Sequence, residues 1–74
     1  MQITVKLFAT FRIGRFKQEQ RDYAEGASCR EVAAEIGLAR KEIGMVLVNG
    51  RQATLAQTLQ EGDVLAFFPL LGGG

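Results

Sequence analysis

The sequence predicts an α+β fold: a mixed sheet of about five short strands with one main helix packed on it. Three observations support this prediction. Apolar and polar residues alternate over Met1–Thr10, a capping box at Ser28–Glu31 precedes an amphipathic stripe, and a short apolar run at Val64–Phe68 is entered from a turn. Two of these patterns indicate strands, and the other indicates a helix between them.

The first strand has one buried face. Ile3, Val5 and Leu7 share a side of the strand, as the period of two requires, and polar residues occupy the other side. Phe8 is the exception, because it falls among the polar positions. Two interpretations follow: Phe8 packs under a nearby loop, or it belongs to an exposed apolar patch that meets a partner.

A turn and a mostly polar second strand come next. The segment Phe11–Arg15 contains a glycine and two arginines, and we expect it to form a hairpin turn whose charges are solvated surface. The segment Phe16–Tyr23 carries polar residues at both alternating positions, so little of it can be buried. This pattern is typical of an edge strand.

The helix has signals at both ends. Ser28 and Glu31 form the capping box, apolar residues recur at helical spacing from Cys29 to Ile36, and Gly37 fits a C-terminal cap. Cys29 lies on the apolar stripe, so we interpret it as a small buried side chain without chemistry. Ala39–Ile43 is expected to add one short helical turn.

The second half of the chain is predicted to be mostly strands. Met45–Val48 is a continuous apolar run, and Asn49-Gly50 after it is a strong hairpin signal, so a short strand should follow at Arg51–Thr54. Leu55 and Leu59 are expected to hold the next connection against the core.

The final strand leads to a tail. Pro69 lacks an N–H, so we expect the chain to leave the sheet after Phe68, which gives a folded domain over residues 1–69 and a flexible tail over residues 70–74. The tail either frays without consequence or delivers the α-carboxylate of Gly74 into another protein, because glycine allows close backbone approach. Gly72 and Gly73 would then thread a narrow channel.

The amino-acid composition argues against several classes of function. The chain of 74 residues has no histidine, one cysteine and a formal net charge of +1. A self-contained enzyme, an internal disulfide and a thiolate metal cluster are therefore not expected. The balanced charge gives no electrostatic argument for nucleic acid or membrane partners, so recognition should depend on shape. No long apolar run or signal peptide pattern is present, and we expect a soluble, cytoplasmic protein.

Two strands, a helix and then three strands, with the last strand central beside the first, describe the β-grasp or ubiquitin-like arrangement. The chain resembles the ubiquitin-like sulfur carriers, which include the small subunit of molybdopterin synthase and the sulfur carrier of thiamine biosynthesis. The resemblance spans nearly the whole length and rests on these segments: Val5–Ala9, Arg12, Val32–Ile36, Val48–Gly50, Glu61–Asp63, Ala66–Pro69 and Gly73–Gly74.

The resemblance implies a carrier without catalytic residues or bound cofactor. A partner enzyme would use ATP to adenylate Gly74, and sulfur would then convert the acyl-adenylate to a thiocarboxylate. The acceptor would be the large subunit of molybdopterin synthase or, in the alternative pathway, thiazole synthase. Segments Leu7–Ala9 and Ala66–Pro69 favour the molybdopterin branch, whereas the short chain and the triple glycine are similar to thiamine carriers.

Two other fates remain open at this point. The activated Gly74 could be joined to a lysine, as in a protein modifier, or the tail could do nothing. If Leu65 and Phe67 face the core, Phe68 lies on the opposite face with Phe8. We therefore expect a partner interface that comprises Phe8, Arg12, Phe68, Pro69, Leu70 and Leu71.

Overall fold

The strands and the helix follow one another in the predicted order. The computed structural model describes residues 1–71 of the chain. Its elements are β1 (Gln2–Leu7), β2 (Gln18–Asp22), α1 (Cys29–Ile36), β3 (Ile43–Val48), β4 (Arg51–Ala53) and β5 (Val64–Pro69), with 3₁₀ turns at Ala9–Arg12 and Arg40–Glu42. The second of these turns was expected. The predicted turn at Phe11–Arg15 is present, since the Arg15 N–H donates to the Arg12 carbonyl at 3.1 Å and Gly14 has a φ of 71°, and the first 3₁₀ turn leads into it.

The five described strands form a single mixed sheet in the order β2-β1-β5-β3-β4. Strand β5 runs parallel to β1 and antiparallel to β3, so it occupies the centre of the sheet. Both outer pairs, β1 with β2 and β3 with β4, are antiparallel. This is the β-grasp arrangement that the order of the elements predicted.

The core lies between the sheet and α1. Alternate residues of the two central strands are fully buried, among them Val5 on β1 and both Leu65 and Phe67 on β5. The helix contributes the stripe that contains Cys29 and Val32, each with no exposed surface. Complete burial of such side chains stabilises the fold by about 1.5–3 kcal/mol each, so this layer provides much of the driving force.

Local signals place the helix and the hairpin. The Ser28 hydroxyl accepts a hydrogen bond from the Glu31 N–H at 3.3 Å, and Gly37 ends the helix in the left-handed conformation. Asn49 and Gly50 have φ angles of 53° and 79°, as the expected tight turn between β3 and β4 requires. Both predictions are confirmed, because each rests on a backbone requirement that few residue types satisfy.

Three predicted details are wrong. Strand β1 ends at Leu7, where the chain enters the 3₁₀ turn and buries Phe11 to 5% exposure. Strand β2 is shorter than expected. Pro69 does not end the sheet: it pairs with Ile43, and the next N–H, that of Leu70, donates to the Glu42 carbonyl at 2.9 Å. The missing donor is tolerated because the neighbouring residue supplies the bond.

Candidate functional site

The sheet presents an apolar surface on the face opposite α1. Phe8 follows β1 directly, and because Leu7 is paired with Phe67 in the parallel register, Phe8 and Phe68 lie next to each other. Their rings are stacked, with centroids 4.2 Å apart and planes 9° from parallel. Both side chains are half-buried. The predicted placement of Phe8 and Phe68 on a common outer face is therefore observed.

Arg12 fixes the position of Phe8 from the adjacent 3₁₀ turn. Its guanidinium carbon lies 5.1 Å from the centre of the Phe8 ring, and its Nε donates to the Leu7 carbonyl at 2.7 Å. A cation above an aromatic face contributes about 0.5–1 kcal/mol where both are accessible. Arg12 thus holds the edge of the apolar surface while its charge remains exposed.

Two side chains of β3 extend this surface and were missed by the sequence analysis. Met45 is paired with Phe68 and Leu47 with Ala66, so both point to the outer face. Met45 is 36% exposed and Leu47 is half-buried. We call Phe8, Phe68, Met45 and Leu47 the outer apolar patch. The sequence could not assign the last two to this face, because a continuous apolar run shows no alternation.

The patch leads directly to the root of the tail. Pro69 is buried, so its side chain adds little accessible surface to the expected interface. Leu70 and Leu71 follow it and are 63% and 82% exposed. The central strand therefore ends in two accessible leucines beside the outer apolar patch. The expected roles of Gly72, Gly73 and Gly74 fall on residues outside the described part of the chain.

Other reactive groups are scarce in residues 1–71. The Cys29 thiol is fully buried, and burial raises its pKa, which disfavours the nucleophilic thiolate. Over the described residues, no three His, Cys, Asp or Glu side chains are grouped in a way that could hold a metal ion. The helical segments in this part of the chain are too short or too polar to span a bilayer.

Comparison with known proteins identifies a family. The model of the ThiS family matches residues 5–74. A candidate subunit 1 of a molybdopterin converting factor from Pyrococcus furiosus is 30% identical, with a TM-score of 0.77 over 96% of this chain and 99% of that one. A search of curated proteins gives no match.

Two further solved structures share the fold. Small archaeal modifier protein 1 of Haloferax volcanii is 24% identical, with a TM-score of 0.77 over 95% of this chain and 98% of its own. A chain in the complex of subunits 1 and 2 of the molybdopterin-converting factor of Helicobacter pylori 26695 is 17% identical, with a TM-score of 0.67 and complete coverage of both chains. At these identities the likeness concerns the fold alone.

Proposed function

The chain belongs to the ThiS family, and on that basis we propose that it is a sulfur carrier whose C-terminal glycine, Gly74, is adenylated and then converted to a thiocarboxylate. The observation that carries the proposal is the family match, which continues to residue 74. The root of that segment, Leu70 and Leu71, is exposed at the end of the central strand and beside the outer apolar patch. A rigid strand followed by glycines suits delivery of a terminus into an enzyme.

The chemistry needs a leaving group that a carboxylate lacks. Attack of the Gly74 carboxylate on the α-phosphate of ATP would release pyrophosphate and form an acyl-adenylate. Sulfur from a persulfide donor would then displace AMP, and a thiol would cleave the remaining S–S bond to leave the thiocarboxylate. An adenylating enzyme would perform the first step, so the carrier needs no general base of its own and no bound cofactor. We assign the protein to the cytoplasm, where ATP and reducing thiols are present.

We place the carrier in the molybdopterin branch, as the small subunit that serves the large subunit of molybdopterin synthase. The similarity to the Pyrococcus furiosus protein and the segments Leu7–Ala9 and Ala66–Pro69 support this choice. The outer apolar patch, with Arg12 and the two exposed leucines at the tail root, would meet the partner. A thiamine carrier serving thiazole synthase is the alternative within the family.

A second candidate function is protein modification, in which the activated Gly74 is joined to a lysine. The shared fold with a small archaeal modifier protein motivates it. The two functions have the same activated intermediate and differ in the nucleophile that attacks it. Recovery of this chain covalently attached to other proteins in cell extracts would favour modification.

The test is the intact mass of the protein after incubation with ATP, a persulfide donor, a reducing thiol and the adenylating enzyme of the same organism. The control is a variant that lacks Gly74. We expect a gain that matches replacement of one oxygen by sulfur in the full chain and no gain in the control. An unchanged mass, with an enzyme shown to be active on its own carrier, would refute the proposal.

A further inference from the structure

Although the net charge is small, the positive and negative side chains are concentrated at opposite ends of the molecule. Strands β1 and β5 end on the side where β2 and β3 begin, so one end of the fold comprises residues 9–17, 36–43 and 68–71. These segments contain one carboxylate, that of Glu42, and five cations: Arg12, Arg15, Lys17, Arg40 and Lys41. We call these five residues the basic collar. The tail leaves the fold at this end.

The opposite end has the reverse balance. It comprises residue 1 and residues 22–31, 48–51 and 57–64, where three cations, Arg30, Arg51 and the amino group of Met1, are outnumbered by five carboxylates: Asp22, Glu25, Glu31, Glu61 and Asp63. Segregation of this kind gives the molecule a positive pole at the tail and a negative pole away from it. The field of such a distribution orients a protein as it approaches a charged partner.

The basic collar is accessible and its charge is not neutralised within the described chain. All five residues are exposed, and the ion pairs found in residues 1–71 involve Arg21 and the amino group of Met1 instead. Arg15 donates to the carbonyls of Gly37 at 3.0 Å and Phe11 at 3.2 Å, which orients the side chain and leaves its charge in place. Five cations at one end of the fold, with one carboxylate among them, favour an anionic partner.

Two members of the basic collar lie beside the root of the tail. Arg15 and Lys41 line an open groove of about 480 Å³ together with Glu42, and Phe11, Pro69 and Leu70 also contribute to its lining. Leu70 therefore adjoins two cations and one carboxylate. A partner that receives the tail must contact the residues that line this groove, because the chain continues from Leu70 toward Gly74.

We propose that the basic collar docks on a carboxylate-rich rim around the channel through which the adenylating enzyme admits the tail. The inference rests on the proposed function, since it assumes that the tail enters that enzyme. An acidic rim would favour this docking because it attracts the positive pole and orients it toward the channel.

An acidic protein fits the surface better than an anionic membrane or a nucleic acid. Anionic lipid would attract the collar and the exposed leucines, but a bilayer surface offers no channel to admit the terminal carboxylate, as the proposed function requires. Nucleic acid binding usually follows an extended basic stripe, whereas the collar lies at one end of the fold together with the exposed Leu70 and Leu71. Recognition would thus combine charge with shape.

The test compares two double variants that remove the same charge from opposite ends. Arg40→Gln with Lys41→Gln weakens the collar, and Arg30→Gln with Arg51→Gln is the matched control at the negative pole. In the described part of the chain none of these four side chains forms a hydrogen bond or an ion pair. Adenylation by the enzyme of the same organism is followed as pyrophosphate release at several salt concentrations, and thermal unfolding verifies the fold.

We expect kcat/KM of the collar variant to fall about 3- to 10-fold at low ionic strength with kcat unchanged, and the control to match the wild type. At about 0.5 M salt, where the Debye length is roughly 4 Å, the three proteins should converge. If the wild type itself is not adenylated, the proposed function fails.

Three results would overturn the collar inference while the wild type remains active. The two double variants react alike, which would reflect overall charge only. The collar variant reacts faster than the wild type, which would mean that the collar holds the protein's own terminus. The third is a collar variant that keeps full activity but loses binding to vesicles of roughly 30% phosphatidylserine, which would make the surface a membrane site.

Discussion

Gly44 of β3 lies so close to Pro69 of β5 that a Cβ atom on Gly44 would come within 2.9 Å of the Pro69 carbonyl oxygen and 3.0 Å of Leu70 Cα. The contact occurs at an irregularity in the pairing of β3 with β5, between Ile43 and Met45. Only a residue without a side chain allows the two backbones to approach this far. The direction in which the tail leaves the sheet therefore depends on Gly44.

We expect Gly44→Ala to misdirect the tail while the fold survives. The added methyl group must displace Pro69 and Leu70, because the atoms it meets belong to the backbone. Overpacking of this kind costs about 1–3 kcal/mol of stability. Misplacement by about 1 Å near a reacting group can reduce rates by up to 10²-fold, so we expect kcat/KM for adenylation to fall roughly 10- to 100-fold.

Gly26→Ala is the matched control for that experiment. Gly26 has a φ of 86°, so alanine is strained there by about 1–2 kcal/mol, but its Cβ would have nothing within 4 Å. The control should lose comparable stability in urea and keep its rate of adenylation. Equal loss of rate in both variants would show that Gly44 acts on stability alone.

The Phe8–Phe68 pair gives a second prediction. Phe68→Asp places a charge in the outer apolar patch, on a side chain that is only half-buried, so the protein should still fold. If the patch is a partner interface, loss of a central aromatic costs about 2 kcal/mol, which is roughly a 30-fold increase in Kd. Isothermal titration with the adenylating enzyme and with the acceptor subunit measures the effect on each complex.

Gln20→Asp is the control for the added charge. Gln20 is exposed and is paired with Thr4, so it lies on the same face of the sheet but on the edge strand β2. This variant should bind both partners as the wild type does. Unchanged binding by Phe68→Asp would remove the outer apolar patch from the interface, and loss of folding would assign Phe68 to the core.

The sequence predicted those elements whose cause is local. Ser28 and Gly37 define the helix because they satisfy backbone groups that the helix leaves free. Asn49-Gly50 defines a hairpin because both residues need a positive φ. The position of β5 beside β1 also followed, since the most uniformly apolar strand belongs at the centre of a sheet.

The features that the sequence did not predict depend on contacts between distant segments. Phe11 is buried although its neighbours Arg12 and Gly14 indicate a turn, because a 3₁₀ segment rotates its ring into the core. The outward direction of Met45 required the register with Phe68. The basic collar could not be predicted from the sequence, because its residues belong to two distant segments, 9–17 and 36–43, which the topology of the sheet brings to the same end. The net charge of the whole chain does not show this separation, and it therefore suggested recognition by shape.

A third prediction concerns Ala9, whose φ of 50° lies in the left-handed region that L-residues avoid. This conformation costs about 1–2 kcal/mol for a residue with a Cβ, against about 0.5–1 kcal/mol of extra chain entropy that glycine loses on folding. Ala9→Gly should therefore raise the free energy of unfolding by about 0.5–1 kcal/mol. Urea denaturation measures the change, and the slope of the free energy of unfolding against urea concentration should be the same as in the wild type.

Ala34→Gly provides the comparison for the same substitution. Ala34 is exposed within α1, where glycine lowers stability by about 1 kcal/mol. The two variants should thus shift the urea midpoint in opposite directions. Destabilisation by Ala9→Gly would mean that the left-handed conformation at Ala9 carries no strain that glycine can relieve.

The last prediction concerns Tyr23. Burial, and next the proximity of the Glu35 carboxylate, raise the pKa of Tyr23 to about 12, although Arg21, whose Nε donates to the Tyr23 hydroxyl at 2.9 Å, acts in the opposite direction. The chain has one tyrosine and no tryptophan, so the ultraviolet absorbance of phenolate reports this residue alone. The native protein should titrate well above the value of about 10 found in denaturant.

The higher pKa in the folded state fixes the sign of the pH dependence. Between the two pKa values the native state binds the proton that the unfolded chain has released, so the stability contributed by Tyr23 is complete below about pH 10 and is lost as the pH rises toward 12. Glu35→Gln should lower the native midpoint, whereas Glu42→Gln, in the distant 3₁₀ turn, should not. A native midpoint near 10 would show that the Tyr23 hydroxyl is as well solvated as in the unfolded chain.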